Sequence, residues 1–134
     1  MLYLLDTNAW VHYLKNHDSI VAQRVEQTPV NEIAVCSIVW AELLHGARKY
    51  GKRAAREARV EETLRPHPQL AFDKIAAQHY AEIRDRLELR GEVIGLFDMQ
   101  IAAIALANDL TVVTNNVSEF RRVDGLRVED WSVV

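Results

Sequence analysis

The chain has 134 residues, 49% of them hydrophobic and 26% charged. That balance excludes wholesale disorder and leaves length for one ordinary domain rather than two. A formal charge of −3 at pH 7 gives no global pull towards nucleic acid, so any such contact has to come from a local patch. The lone cysteine, Cys36, rules out an internal disulfide and reads as core filling in a cytosolic protein.

In chain order, Tyr3–Leu5 is a short apolar run that stops at Asp6-Thr7-Asn8, a buried strand followed by a turn and too short for a signal peptide or membrane span. Trp10, Val11 and Leu14 recur at helical spacing, and Ile20 to Gln27 is a second helical stretch closed by Thr28-Pro29. Ile33–Cys36 is another buried strand. Ser37 is placed to cap a helix that begins at Ile38 and runs to about Tyr50, where Gly51 interrupts it. Lys52 to Leu64 reads as helix, Pro66 and Pro68 bracket a linker, and Leu70–Phe72 is a short strand candidate. Asp73 is a cap for a long helix through Leu87. Gly91 and Gly95 then break the chain before Asp98 opens an apolar helix. Leu110–Val113 is a strand ending at Thr114-Asn115-Asn116, and Leu126–Val128 is a last strand candidate. No repeat or domain boundary divides the chain, so residues 1–134 are expected to form one domain.

Short unalternating strands separated by helices predict a parallel sheet covered on both faces. Ligands of such sheets gather beyond the carboxyl ends of the strands, which directs attention to Asp6 and to Thr114–Asn116.

Three carboxylates lie in apolar company. Asp6 follows a strand and is either a helix cap or a site residue. Glu42 sits within Ile38-Val39-Trp40-Ala41-Glu42-Leu43-Leu44; its alternative is to reach solvent from a helix edge. Asp98 shares a helix stripe with Ile101, Ala102 and Ala105 unless it is the N-cap for Met99 onward. No lysine or arginine adjoins any of them in sequence. Ionised carboxylates in apolar surroundings cost several kcal/mol, roughly, unless compensated, and a hard divalent cation, magnesium or manganese, reconciles them. Zinc is disfavoured, because the cysteine and the scattered histidines show no ligand spacing.

The segments Leu4-Leu5-Asp6-Thr7-Asn8, Ser37-Ile38-Val39-Trp40-Ala41-Glu42-Leu43-Leu44-His45-Gly46, Ile94-Gly95-Leu96-Phe97-Asp98-Met99-Gln100-Ile101-Ala102 and Val113-Thr114-Asn115-Asn116 resemble, in order, the signatures of PIN-domain ribonucleases, most closely the VapC-type toxins of toxin–antitoxin modules. The resemblance spans essentially the whole chain. It implies a three-layer α/β/α sandwich with a central, mainly parallel sheet, and Mg²⁺-dependent endoribonuclease activity in which Mn²⁺ can substitute. It also implies an acidic cluster of Asp6, Glu42 and Asp98. The fourth family position, often Asp, is Asn116 here, and Glu119 is the candidate replacement carboxylate. Thr114 occupies the family's hydroxyl position. On this reading Asp6 and Asp98 are the principal metal ligands. Glu42 binds metal through water or acts as general base, Asn116 holds a metal-bound water, and in-line attack leaves a 3′-hydroxyl and a 5′-phosphate.

The resemblance further implies transfer RNA as the first substrate to test, inhibition of translation and a cytoplasmic protein. A VapB-like antitoxin would cross the active site, in a homodimer within a larger hetero-oligomer that meets operator DNA only through the antitoxin.

An acidic pocket repels RNA, so cations are needed nearby. Residues 48–59 hold Arg48, Lys49, Lys52, Arg53, Arg56 and Arg59 against Glu57, a net of +5 that leaves −8 for the remainder. The stripe is either an RNA contact, with Arg48, Lys49, Lys52, Arg53 and Arg56 as its candidates, or a solvated face or a surface for an acidic partner. Arg121 and Arg122 are a second candidate. The five histidines and three tryptophans read mainly as core or interface residues. Rival readings are a two-histidine ribonuclease, for which no histidines pair in sequence, and a receiver-like signalling module, which lacks the lysine expected after Thr114. A catalytically dead PIN-like binding module is the third.

Overall fold

Five parallel strands set the architecture of the computed structural model, which describes residues 1–134. They are β1 (Tyr3–Leu5), β2 (Ile33–Cys36), β3 (Gln69–Leu70), β4 (Thr111–Val113) and β5 (Val128–Glu129), in the spatial order β3-β2-β1-β4-β5. The register sets Tyr3 opposite Ile33 on one side and opposite Thr111 on the other. All four residues of β2 and all three of β4 are buried. A strand covered on both faces has no reason to alternate, which is why β2 is apolar throughout and β4 departs from that only at Thr111.

Seven helices fill the connections: α1 (Thr7–Lys15), α2 (Ile20–Gln27), α3 (Ser37–Arg48), α4 (Arg53–Leu64), α5 (Lys74–Arg90), α6 (Leu96–Ala107) and α7 (Val117–Phe120). They cover the sheet in the α/β/α arrangement expected. Parallel neighbours cannot be joined by hairpins, so each return passes over a face of the sheet. The most apolar helix is α6, in which Met99 and Ile101 through Ala105 are fully buried. Trp10 and Phe120 are equally enclosed, as is Cys36, whose thiol burial pushes up to about 11. No helix is long and apolar enough to cross a membrane.

Several boundaries differ from the sequence expectation for local reasons. Ser37 does not cap α3; it is the first helical residue, and its hydroxyl instead accepts from the Phe72 N–H at 3.2 Å. That helix stops at Arg48 rather than near Tyr50, and α4 begins after Lys52, which adopts a left-handed φ of 63°. The strand placed at Leu70–Phe72 falls at Gln69–Leu70, and the last one shifts to Val128–Glu129. Asp73 does cap α5, accepting from the Ala76 N–H at 2.9 Å. Gly91 closes α5 with a φ of 66°, a conformation glycine reaches without steric cost.

The sheet order carries the functional consequence. From β1 the chain builds outward through β2 to β3, then returns to the other side of β1 for β4 and β5. The connections therefore part company between β1 and β4, and a crevice forms beyond their carboxyl ends.

Candidate active site

Asp6 and Thr114 are the residues immediately beyond β1 and β4. The Asp6 N–H bonds to the Val113 carbonyl at 3.0 Å, continuing the ladder by one step. Asp6 Oδ1 accepts from the Ala9 N–H at 2.9 Å and so caps α1, while Oδ2 accepts from the Thr114 hydroxyl. The cap and the site are thus one residue using different oxygens, so the two readings of Asp6 are compatible. Thr114 Oγ1 in turn accepts from the Asn116 N–H at 2.9 Å. Asp6 is 3% exposed. Burial pushes its carboxyl above the ordinary value, against the hydrogen bonds from Thr114 and Ala9; Glu42 adds a smaller push and His12 a smaller pull.

Asp98 comes from the first turn of α6. The helix starts at Leu96 with Gly95 as its N-cap, so Asp98 is not the cap for Met99 but the third residue of the helix. A Cβ added at Gly95 would sit 3.7 Å from Asp98 Oδ2, which puts the carboxylate over the glycine. A helix N-terminus favours an anion there, yet burial and the charges of Asp6, Glu42 and Glu119 together push the Asp98 carboxyl up to about 6. Hydrogen bonds tie the other acids to the same edge: Thr114 to Asp6, Thr7 at the start of α1 to Glu42, and Asn116 to Glu119.

Glu42 projects from the middle of α3 and is half-buried. Its Oε1 accepts from the Thr7 hydroxyl at 2.6 Å, a bond between the first residue of α1 and a residue 35 positions on. Sequence reasoning missed Thr7. The available signal was a hydroxyl directly after Asp6, at the first position of a helix whose start lies beside the crevice. Asn116 also has a specific role: its Nδ2 donates to Glu119 Oε2 at 2.9 Å and holds the extra carboxylate in place. Asn116 and the candidate replacement carboxylate, Glu119, therefore form a pair.

No lysine or arginine acts on either raised carboxyl. Four like-signed oxygen donors in a partly buried crevice match the preference of a hard divalent ion. The side chains are gathered rather than clenched, since no three His, Cys, Asp or Glu are arranged to grip one ion.

The basic stripe divides into parts. Arg48 and Arg53 both bind Glu57 Oε1, at 3.0 and 3.1 Å, and brace the corner between α3 and α4. Lys49 and Lys52 are exposed at that corner. Arg56 is exposed and lines a groove that also reaches Glu42. Arg121 is exposed, and Arg122 reaches the Glu92 and Val93 carbonyls instead of the acidic crevice. Among the histidines, His67 is a core residue, its Nδ1 within 3.2 Å of the Val30 and Ile33 carbonyls. Trp10 and Trp131 are buried, and Trp40 Nε1 donates to Gln69 Oε1 at 2.6 Å.

Comparison with known proteins gives a consistent result. The PIN domain family model matches residues 3–126. Ribonuclease VapC2 of Rickettsia felis is 36% identical over 132 residues, 98% of each chain. The tRNA(fMet)-specific endonuclease VapC of Shigella flexneri is 36% identical over 130 residues, covering 97% of this chain and 98% of its own. A crystal structure of DNA-bound VapBC from Salmonella typhimurium aligns with a TM-score of 0.91 at 36% identity, over 98% of this chain and 99% of that one.

Proposed function

The chain belongs to the PIN-domain family, and from that premise we propose that it is the ribonuclease toxin of a VapC-type toxin–antitoxin pair, a single PIN domain over residues 1–134 that hydrolyses RNA phosphodiesters with Mg²⁺ or Mn²⁺. The observation that carries the reading is the meeting of Asp6, Glu42, Asp98 and Glu119, from separate parts of the chain, with no lysine or arginine acting on the two raised carboxyls.

In this reading Asp6 and Asp98 would hold the ion. The bound ion supplies charge neutralisation at the scissile phosphate and lowers the cost of forming a nucleophile at neutral pH. The rest is done by the chain. Thr114 fixes the Asp6 carboxylate by its hydroxyl. Thr7 occupies Glu42 Oε1, which leaves Oε2 to accept the proton of the attacking water as general base. Asn116 orients Glu119 and keeps a fourth carboxylate in the crevice. Attack by the water breaks the P–O3′ bond, the departing 3′-oxygen takes a proton from solvent, and the products are a 3′-hydroxyl and a 5′-phosphate.

Transfer RNA is the proposed substrate and arrest of translation the proposed consequence, with support from relatives named as tRNA(fMet)-specific endonucleases. Relatives solved as VapBC assemblies, some bound to DNA, support a VapB-like antitoxin, a homodimer within a hetero-oligomer and operator DNA reached through the antitoxin. A cytoplasmic location follows from those partners. The test is cleavage of tRNA by purified protein stripped with EDTA and then given Mg²⁺ or Mn²⁺. Activity restored only by the ion, with 5′-phosphate ends, is expected; undiminished cleavage in excess EDTA overturns the reading.

A further inference from the structure

A groove of about 380 Å³ opens beside the acidic crevice, walled by α1, α3 and α4. Its volume falls in the range of about 300–1,000 Å³ that small ligands occupy, enough for one nucleotide. Thr7 and Glu42 form one end, so the groove is continuous with the site. The walls between are apolar, contributed by Val11, Leu14, Leu43 and Val60. The rim is of opposite sign to the crevice: Lys15, Arg56 and Arg59 line it, Glu42 is its only carboxylate, and none of the three cations enters an ion pair.

Arg59 is committed to the wall, donating to the Leu14 carbonyl and contacting His17 Nε2 at 3.3 Å. Arg56 donates to the Gly51 carbonyl at 2.9 Å and lies over the Tyr50 ring, 5.7 Å from its centroid. Tyr50 is 65% exposed. An exposed aromatic ring, a guanidinium against it and a free lysine across an apolar floor form the pattern by which single-stranded nucleic acid is held: bases on apolar or aromatic surface, phosphates on cations.

We propose that this groove is a nucleotide subsite, taking the base of an RNA residue that flanks the scissile phosphate while Lys15 and Arg56 meet its phosphates. The proposal rests on the ribonuclease reading above and specifies where the substrate strand leaves the acidic crevice. The excess of cations on the rim favours a polyanion over an uncharged or basic peptide. It also separates Lys15 and Arg56, which face the groove, from Arg48 and Arg53, which are spent on Glu57.

Gly46 supplies a clean probe. It lines the groove in the interior of α3, and a Cβ added there meets nothing within 4 Å. Gly46→Leu therefore fills the groove while improving helix propensity, so loss of folding is not the expected outcome. Binding of a fluorescein-labelled eight-nucleotide single-stranded RNA is measured by anisotropy in an Asp98→Asn background, which prevents turnover. Adding Gly46→Leu should weaken affinity at least tenfold. Lys15→Gln should lower the slope of log Kd against log salt by about one. With an abasic residue walked along the RNA, one position should be found at which Gly46→Leu costs less than twofold further.

RNA affinity within twofold of the parent for Gly46→Leu, or no such abasic position, overturns the proposal. Unchanged RNA affinity with lost binding of the antitoxin gives the groove to a protein and also overturns it. Failure here is distinct from failure of the ribonuclease reading, which Asp6→Asn and EDTA test by cleavage rather than by affinity.

Discussion

Along the flank of α5, Glu82, Arg86, Arg90, Glu92 and Asp124 interleave so that each acid meets an arginine: Arg86 takes Glu82 and Asp124, at 2.6 and 3.5 Å, and Arg90 takes Asp124 and Glu92, at 3.2 and 3.5 Å. At the carboxyl edge of the sheet, Asp6, Glu42, Asp98 and Glu119 converge with only His12 as a countering charge, and that on Asp6 alone. Both regions concentrate charge, but only the first satisfies it internally. It is exposed, and its pairs are worth little because water and salt screen them. The second is partly desolvated, and burial, with like charges behind it, raises the Asp6 and Asp98 carboxyls above their ordinary values. The contrast separates surface charge that stabilises weakly from charge arranged for chemistry.

The largest way to break this contrast is to remove an acid from the crevice. Asp6→Asn keeps a side chain able to cap α1 and should lower RNA cleavage roughly 10³-fold, the scale of losing a group that stabilises the transition state. Steady-state rates with circular dichroism as a folding control check it. Next comes Thr7→Val, which frees Glu42 Oε1 and should reduce cleavage about tenfold, as expected for one hydrogen bond to a charged group. Thr7→Ser, retaining the hydroxyl, should stay within about threefold.

The acids were legible early because each sits where its neighbours demand burial. Glu42 among Ile38, Val39, Trp40, Leu43 and Leu44 is the plainest case. The three central strands were legible for the same reason, whereas the edge strands β3 and β5, only partly covered, shifted from their expected places. Features set by distant contacts were not. Ser37 has the chemistry of a cap, but a better use for its hydroxyl arises from Phe72, 35 residues on. The single turn of α7 is too short to show periodicity. Thr7 acquires meaning only when α3 is laid beside α1. The division of the basic stripe depends on where Glu57 falls between Arg48 and Arg53, which composition cannot reveal.

A smaller effect sharpens the comparison through pH. The Asp98 carboxyl rises from 3.8 to about 6 in the native state, so the folded protein binds its proton more tightly than the unfolded chain does. Without divalent ions, stability should therefore fall as pH rises from about 4 to about 6 and stay low above that. Asp98→Asn removes this penalty. With allowance for the partial exposure of Asp98, it should stabilise the metal-free protein by about 1–2 kcal/mol at pH 7 and by almost nothing at pH 4. Urea unfolding at the two pH values provides the measurement. The smallest effect belongs to the compensated region: Asp124→Asn should cost about 0.5 kcal/mol or less, vanish in 1 M salt and leave RNA cleavage unchanged.

The central claim, that the crevice is acidic because a divalent ion completes it, is tested most directly by titrating Mn²⁺ into the EDTA-stripped protein and following free ion by electron paramagnetic resonance. Saturable binding by the native protein that Asp6→Asn and Asp98→Asn each weaken at least tenfold, with Asp124→Asn unchanged, is the predicted result. Native protein that binds no Mn²⁺, or crevice variants that bind it as tightly as the native chain, would contradict the account.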